Sequence, residues 1–242
     1  MAKHSFASLL LFAVHFVQAQ QNFIDTGALG GDTAYARQLY FAQRAEELTI
    51  YNGVLHIGYS PSIEGHAYFE SSAWQKGFVI YNNVRYDNII MKYDLLNDQL
   101  IVTPKEQGGM FIGLLSPRVK QFSFSAFTFI YIDKTKQNTF LSPGFYQQLV
   151  RGKLTVLAKR AKVISEKIEG VTLLRKFQEK VKYYLLKDNQ WQAVNRKKDI
   201  LNVVKDRRKE IQKFLLKNKL NYRKDHEKTL IALAEFYNQS SY

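Results

Sequence analysis

Between Val54 and Val194 short apolar or aromatic runs alternate with tight-turn signals, and this rhythm restricts the fold more than anything else in the chain. VLHIGY stops at Ser60-Pro61, and HAYF and GFVIY follow. Asn82-Asn83 separates GFVIY from VRYDNIIMKYDL, and Asn97-Asp98 leads into QLIVT, which ends at Pro104. After a break at Gln107-Gly108-Gly109, MFIGLL runs to Ser116-Pro117. VKQFSFSAFTFIYID alternates Phe122 and Phe124, then Phe127, Phe129 and Tyr131, about a turn at Ser125-Ala126. FYQQLVRGKLTVLAKR turns at Arg151-Gly152 and VKYYLLKDNQWQAV at Asp188-Asn189. Asn and Asp tolerate the positive φ of tight turns, and alternating bulky side chains suit a pleated, half-buried surface. The spacing predicts an antiparallel β meander forming a roll or barrel-like sheet. SEKIEGVTLLRKFQEK, between the last two hairpins, fits neither period cleanly and admits a short helix.

The flanks read differently. MAKHSFASLLLFAVHFVQAQ begins with Lys3 and His4, continues with an apolar run from Ser5 to Val17, and offers small residues around Val17-Gln18-Ala19. That run is shorter than the roughly 20 residues a bilayer span needs, and the layout is that of a secretory signal peptide, assigned to residues 1–19. Residues 20–52 read as a loose N-terminal stretch followed by a helix, capped by Asp32 and running through AYARQLYFAQRAEEL. Residues 53–195 form the β-rich domain and residues 196–242 a basic helical tail packed on it, so the class is α+β. An apolar content of 46% supplies a real core. There is no cysteine, which excludes disulfides, thiolate catalysis and cysteine zinc sites. No later stretch has 18 apolar residues in a row, so no transmembrane span is expected in the mature chain.

The charge is concentrated at one end. Residues 1–150 hold eleven basic and eleven acidic residues, whereas residues 151–242 hold twenty-four basic and ten acidic. The whole net charge of +14 therefore lies in the second segment. Arg196 to Lys224 alone carries twelve Lys or Arg against three acids. At 100° per residue, Ile200, Val203, Val204, Ile211, Phe214 and Leu215 share one arc, and Lys198, Lys205, Lys209, Lys213 and Lys217 the opposite one. Arg207 and Arg208 fall on the apolar side, so either the helix breaks near them or their stems snorkel. Asp206 and Glu210 are placed to offset Lys209 and Lys213 at i, i+3. Asp225 caps a last helix whose seam is Leu230, Leu233, Ala234 and Tyr237. Lys205, Lys209, Lys213 and Lys217 are the expected partner-binding face, suited to an acidic envelope protein or an anionic membrane surface. Export speaks against nucleic acid as the partner.

Other chemistry has weak support. His56 and His66 on neighbouring strands, with Glu64 or Glu70, have the elements of a zinc site but no fixed ligand spacing, so no metal or other cofactor is expected. Ser60, Ser116 and Ser142 each precede proline, and there is no GxSxG. Glu64, Glu70, Asp87 and Asp94 are available as a carboxylate pair, but spacing alone does not bring any two together. The short glycine pairs lack the pattern of a phosphate loop. Phe122, Phe124, Phe127, Phe129 and Tyr131 line either a core or an apolar ligand cavity.

GFYQQLVRGKLTVLAKR, YYLLKDNQWQAV and KNKLNYRKDHEKTLIALAEFYN, together with the leader, resemble exported proteins of Bacteroidota without an assigned activity. The resemblance covers most of the chain after Tyr51. It implies the periplasm or outer-membrane periphery of a Gram-negative cell and assigns no residue a role. The expectation is a non-enzymatic binding or accessory protein presenting a basic helical face. A carrier of a small apolar ligand inside the roll is the alternative.

Overall fold

A computed structural model of the protein describes residues 49–103, 110–134 and 140–239. The expected leader, the helix expected after Asp32 and the break at Gln107–Gly109 lie outside the described residues. Twelve strands form one sheet: β1 (Val54–Leu55), β2 (Ile63–Glu64), β3 (Gln75–Tyr81), β4 (Val84–Asp94), β5 (Gln99–Thr103), β6 (Ile112–Gly113), β7 (Val119–Phe124), β8 (Phe127–Ile132), β9 (Gly144–Val150), β10 (Thr155–Glu169), β11 (Thr172–Lys187) and β12 (Gln190–Val194). Their spatial order is β1-β6-β5-β4-β3-β7-β8-β9-β10-β11-β12, and β2 runs parallel to β11. The end strands β1 and β12 do not meet, so the sheet is open and the expected barrel-like closure is not made.

The turns form where the sequence signals them. Asn82 and Asn83 both have positive φ, as do Asp188 and Asn189, and these pairs join β3 to β4 and β11 to β12. Two positive φ values in a two-residue loop match the right-handed twist of the strands they connect. Ser125, also at positive φ, turns β7 into β8. Gly77 sits where β3 shifts register, and a side chain there would run into the carbonyl oxygen of Ser123 on β7. Three stretches depart from expectation. HAYF makes only an isolated bridge between Tyr68 and Asp94, and VLHIGY contributes only Val54–Leu55. SEKIEGVTLLRKFQEK is not helical. It continues β10 and β11 into a hairpin of fifteen consecutive residue pairs, without a bulge, that turns at Gly170-Val171.

Alternation along the strands divides the interior. Tyr93, Phe122, Phe129 and Phe145 are almost fully buried in one aromatic cluster, with ring centroids 4.8–5.7 Å apart. In the β10–β11 ladder, Val156 pairs with Leu185 and Leu157 with Tyr184. Directly opposite residues share a face. Val156 and Leu185 therefore join a cluster under the helices, while Leu157 and Tyr184 join Tyr146 and Leu141 on the other side.

Three helices cover the first of these faces: α1 (Lys197–Val203), α2 (Arg208–Lys217) and α3 (His226–Gln239). Ile200, Val204, Ile211 and Leu215 point inward as the wheel requires, against Leu230, Leu233, Ala234 and Tyr237 of α3. Asp225 accepts a hydrogen bond from the Lys228 N–H at 3.0 Å and caps α3. Arg160, nearly buried on β10, ties sheet to helix: it meets Glu227 of α3 at 2.5 Å and Gln147 of β9 at 2.5 Å.

Candidate functional site

The basic stretch is not one continuous helix. It breaks at Val204, and Lys205–Arg207 form a single 3-10 turn between α1 and α2. The break lets Arg207 turn inward, where it donates to both Glu210 carboxylate oxygens, at 2.7 and 2.5 Å, and to the Tyr237 carbonyl at 2.8 Å. Asp206 accepts from Lys187 of β11 at 3.0 Å and from the Tyr237 hydroxyl at 2.6 Å. Burial acts to raise the Asp206 carboxyl, but these hydrogen bonds outweigh it and hold the group below the usual carboxylate range. The Arg207 hydrogen bonds similarly keep Glu210 low. Asp199 accepts from the N–H groups of Asn195 and Arg196 at 3.0 and 2.8 Å and caps α1.

All three acids between Arg196 and Lys224 are therefore occupied close to the protein. This corrects the expected i, i+3 offset: Asp206 goes to Lys187 and Tyr237, and Glu210 goes back to Arg207. Lys205, Lys209, Lys213 and Lys217 are all exposed, and none makes an ion pair among the described residues. Lys205 lies in the 3-10 turn, and the other three line one side of α2 at i, i+4 spacing. Leu216 stands with them at 76% exposure. On the helical wheel it lies about 20° from Lys209. Sequence reasoning missed Leu216, although an apolar residue off the apolar arc was visible in the pattern.

A second constellation surrounds Asp94, which is fully buried at the end of β4. One carboxylate oxygen accepts from the N–H groups of Leu96 and Asn97 at 2.8 and 3.2 Å. The other accepts from the Tyr59 hydroxyl at 2.5 Å and the Asn97 amide at 3.3 Å. Four donors saturate a carboxylate, so Asp94 has no lone pair left for a substrate proton. Burial first, then the hydrogen bond to Asp94, pushes the Tyr59 phenol far above its usual value. His56 Nε2 lies 3.4 Å from the Tyr68 hydroxyl, and the His66 ring stacks on the ring of the same tyrosine, with centroids 6.2 Å apart. Lys162 of β10 donates to the carbonyls of His66 and Tyr68, each at 2.8 Å. Burial lowers the pKa of both histidines and of Lys162. The two histidines sit in irregular connections rather than on neighbouring strands, and no group of three metal-ligating side chains occurs among the described residues. The cluster anchors residues 56–69 to β4 and β10.

Of the other carboxylates named above, Glu64 pairs with Lys176 at 2.6 Å and Asp87 with Arg85 at 2.8 Å, while Glu70 is exposed and makes no ion pair among the described residues. Ser60 bonds Ser62, and Ser116 donates to the Asp98 carbonyl, as loop-end serines do. The alternating aromatics of β7 and β8 touch one another, so their rings fill the space a ligand would need. No helix among the described residues is long and apolar enough to cross a membrane. Compared with known proteins, the chain matches no family model, no curated protein and no solved structure.

Proposed function

We propose that this is a non-enzymatic accessory protein of the cell envelope that docks an acidic partner protein on its basic helical face. One observation carries the reading: Asp199, Asp206 and Glu210, the three acids between Arg196 and Lys224, are consumed by contacts within the fold, while Lys205, Lys209, Lys213 and Lys217 remain outward and make no ion pair among the described residues. Cations held on a rigid frame attract and orient an anionic surface without first breaking contacts of their own. Leu216 supplies an apolar anchor inside the charged patch, the arrangement in which a protein interface concentrates its affinity. The leader-like pattern of residues 1–19, a basic start followed by a short apolar run, supports an envelope setting. The filled aromatic interior weighs against the carrier alternative.

The test is affinity capture from a detergent-solubilised envelope fraction of the native cell. The wild-type protein is expected to retain an acidic protein in stoichiometric amount and release it as salt rises. A variant with Lys205, Lys209, Lys213 and Lys217 all changed to Glu is expected to lose that protein while keeping its thermal midpoint. Equal retention by the two, or retention by neither, overturns the reading.

A further inference from the structure

We propose that the tip of the β10–β11 hairpin is a membrane-contacting finger that inserts shallowly into the interface of an anionic lipid bilayer. This goes beyond the helical face and does not depend on it. Arg160 of β10 meets Glu227 of α3, and Val171 lies eleven positions further along the hairpin. At about 3.3 Å per residue, the tip stands up to roughly 36 Å beyond that tie to the helices.

The tip is apolar where folding does not require it. Val171 is 104% exposed, Ile168 74%, Leu173 47% and Leu174 44%. Ile168 is opposite Leu173 and Lys167 is opposite Leu174, so apolar side chains stand on both faces of the ribbon as well as at its apex. A groove on a protein or on a second copy covers one face of a ribbon. A hydrocarbon boundary surrounds all of it, and that is the occupant this arrangement fits.

The charges point to the same occupant. Next to the apex, Lys167 pairs with Glu169 at 2.6 Å, Arg175 with Glu166 at 2.9 Å and Lys176 with Glu64 at 2.6 Å. The collar is thus neutralised pair by pair, and the apex can leave water without carrying an unmatched charge. Behind this collar, Lys180 and Lys182 of β11 are exposed and make no ion pair among the described residues, and the whole chain is +14. That sign draws the finger to anionic headgroups. Depth is limited by the backbone. Among the described residues, β2 covers only Arg175 and Lys176 of β11, and no strand flanks β10 beyond Lys162. Unpaired peptide groups do not enter hydrocarbon, so the apex stops at the headgroup boundary.

The absence of cysteine allows a direct test with the full chain. Val171→Cys, labelled with an environment-sensitive dye, is mixed with vesicles of phosphatidylglycerol and phosphatidylcholine, or of phosphatidylcholine alone. Blue-shifted emission with the anionic vesicles, quenched by lipids brominated near the headgroup end of the chain, is the expected result. Ile168→Asp with Val171→Asp is expected to weaken vesicle co-sedimentation at least tenfold with an unchanged thermal midpoint. The Lys→Glu variant of the helical face is expected to keep the blue shift, so failure of one proposal is separable from failure of the other. Three results would overturn the finger: a dye that stays in water while the protein sediments with vesicles, an Asp variant that sediments like wild type, or an Asp variant that loses the acidic protein instead of the lipid.

Discussion

The base and the tip of the β10–β11 hairpin are built from the same two strands in one unbroken register, yet they live in opposite surroundings. At the base, Val156, Leu157 and Leu185 are fully buried, because helices cover one face and Tyr146 and Leu141 the other. At the tip, Ile168, Val171, Leu173 and Leu174 face solvent. Strand pairing therefore persists well past the core that stabilises it. The difference teaches that the ladder sets the shape of the hairpin, while side-chain burial at one end supplies the stability. Residues at the other end are free of structural duty.

The comparison is broken most directly at its buried end. Leu185→Ala is expected to lower stability by about 3 kcal/mol in a urea titration, the usual cost of a cavity in a covered layer. Midway along β10, Arg160→Ala removes the partner of Glu227, Glu179 and Gln147. A loss of about 2 kcal/mol is expected, discounted because the glutamates are partly exposed to water. A melting curve unchanged by this substitution would show that the sheet–helix tie is ornamental. On α3, Thr229 is buried with a hydroxyl that finds no partner among the described residues. Thr229→Val is expected to raise stability by about 1 kcal/mol, because an unsatisfied group is removed at nearly constant shape.

A pH series sharpens the middle of the comparison, where Lys162 holds the segment containing His66 beneath the hairpin. Burial lowers the folded-state pKa of His56 and His66. The unfolded chain thus takes up protons first as pH falls. Stability is full above about pH 6.5 and declines from there down through the depressed folded-state values. The decline is expected to be smaller than the Arg160 effect, and His56→Gln with His66→Gln should flatten it in denaturant midpoints measured from pH 7.5 to 5. The smallest change belongs to the tip: Val171→Ala should move the midpoint by less than about 0.5 kcal/mol. A loss there approaching that of Leu185→Ala would erase the distinction between the two ends.

How much was legible follows from where each signal resides. Asn82-Asn83, Ser125-Ala126 and Asp188-Asn189 announced their turns because the requirement for positive φ is local. The seam of α3 was legible because Leu230, Leu233, Ala234 and Tyr237 face one neighbour at helical spacing. The SEKIEGVTLLRKFQEK stretch was not, because residues 166–176 are all exposed and a ribbon wet on both faces need not alternate apolar with polar. Residues 54–69 misled in the opposite direction. They alternate like a strand, but Asp94, Tyr59 and Lys162 hold them through side chains to backbone or hydroxyl, which no period encodes. A break near Arg207 and Arg208 was one of two readings the sequence left open; the helix does break at Val204, and the partner Arg207 finds there, the Tyr237 carbonyl, is thirty residues away and carries no local signal. The lysine face itself was visible, whereas the diversion of its neighbouring acids became apparent only in three dimensions.

Most of the sheet joins strands that are close in sequence, but β2 lies beside β11 with Lys176 on Glu64, 112 positions away along the chain. Closing so long a loop is entropically slow and returns only a two-residue pairing. This stitch is therefore set after the meander and the hairpin exist. Refolding followed by pulsed amide labelling should show the amides shared between β2 and β11 gaining protection later than the β7–β8 amides, which makes the parallel seam a latch on an already assembled frame.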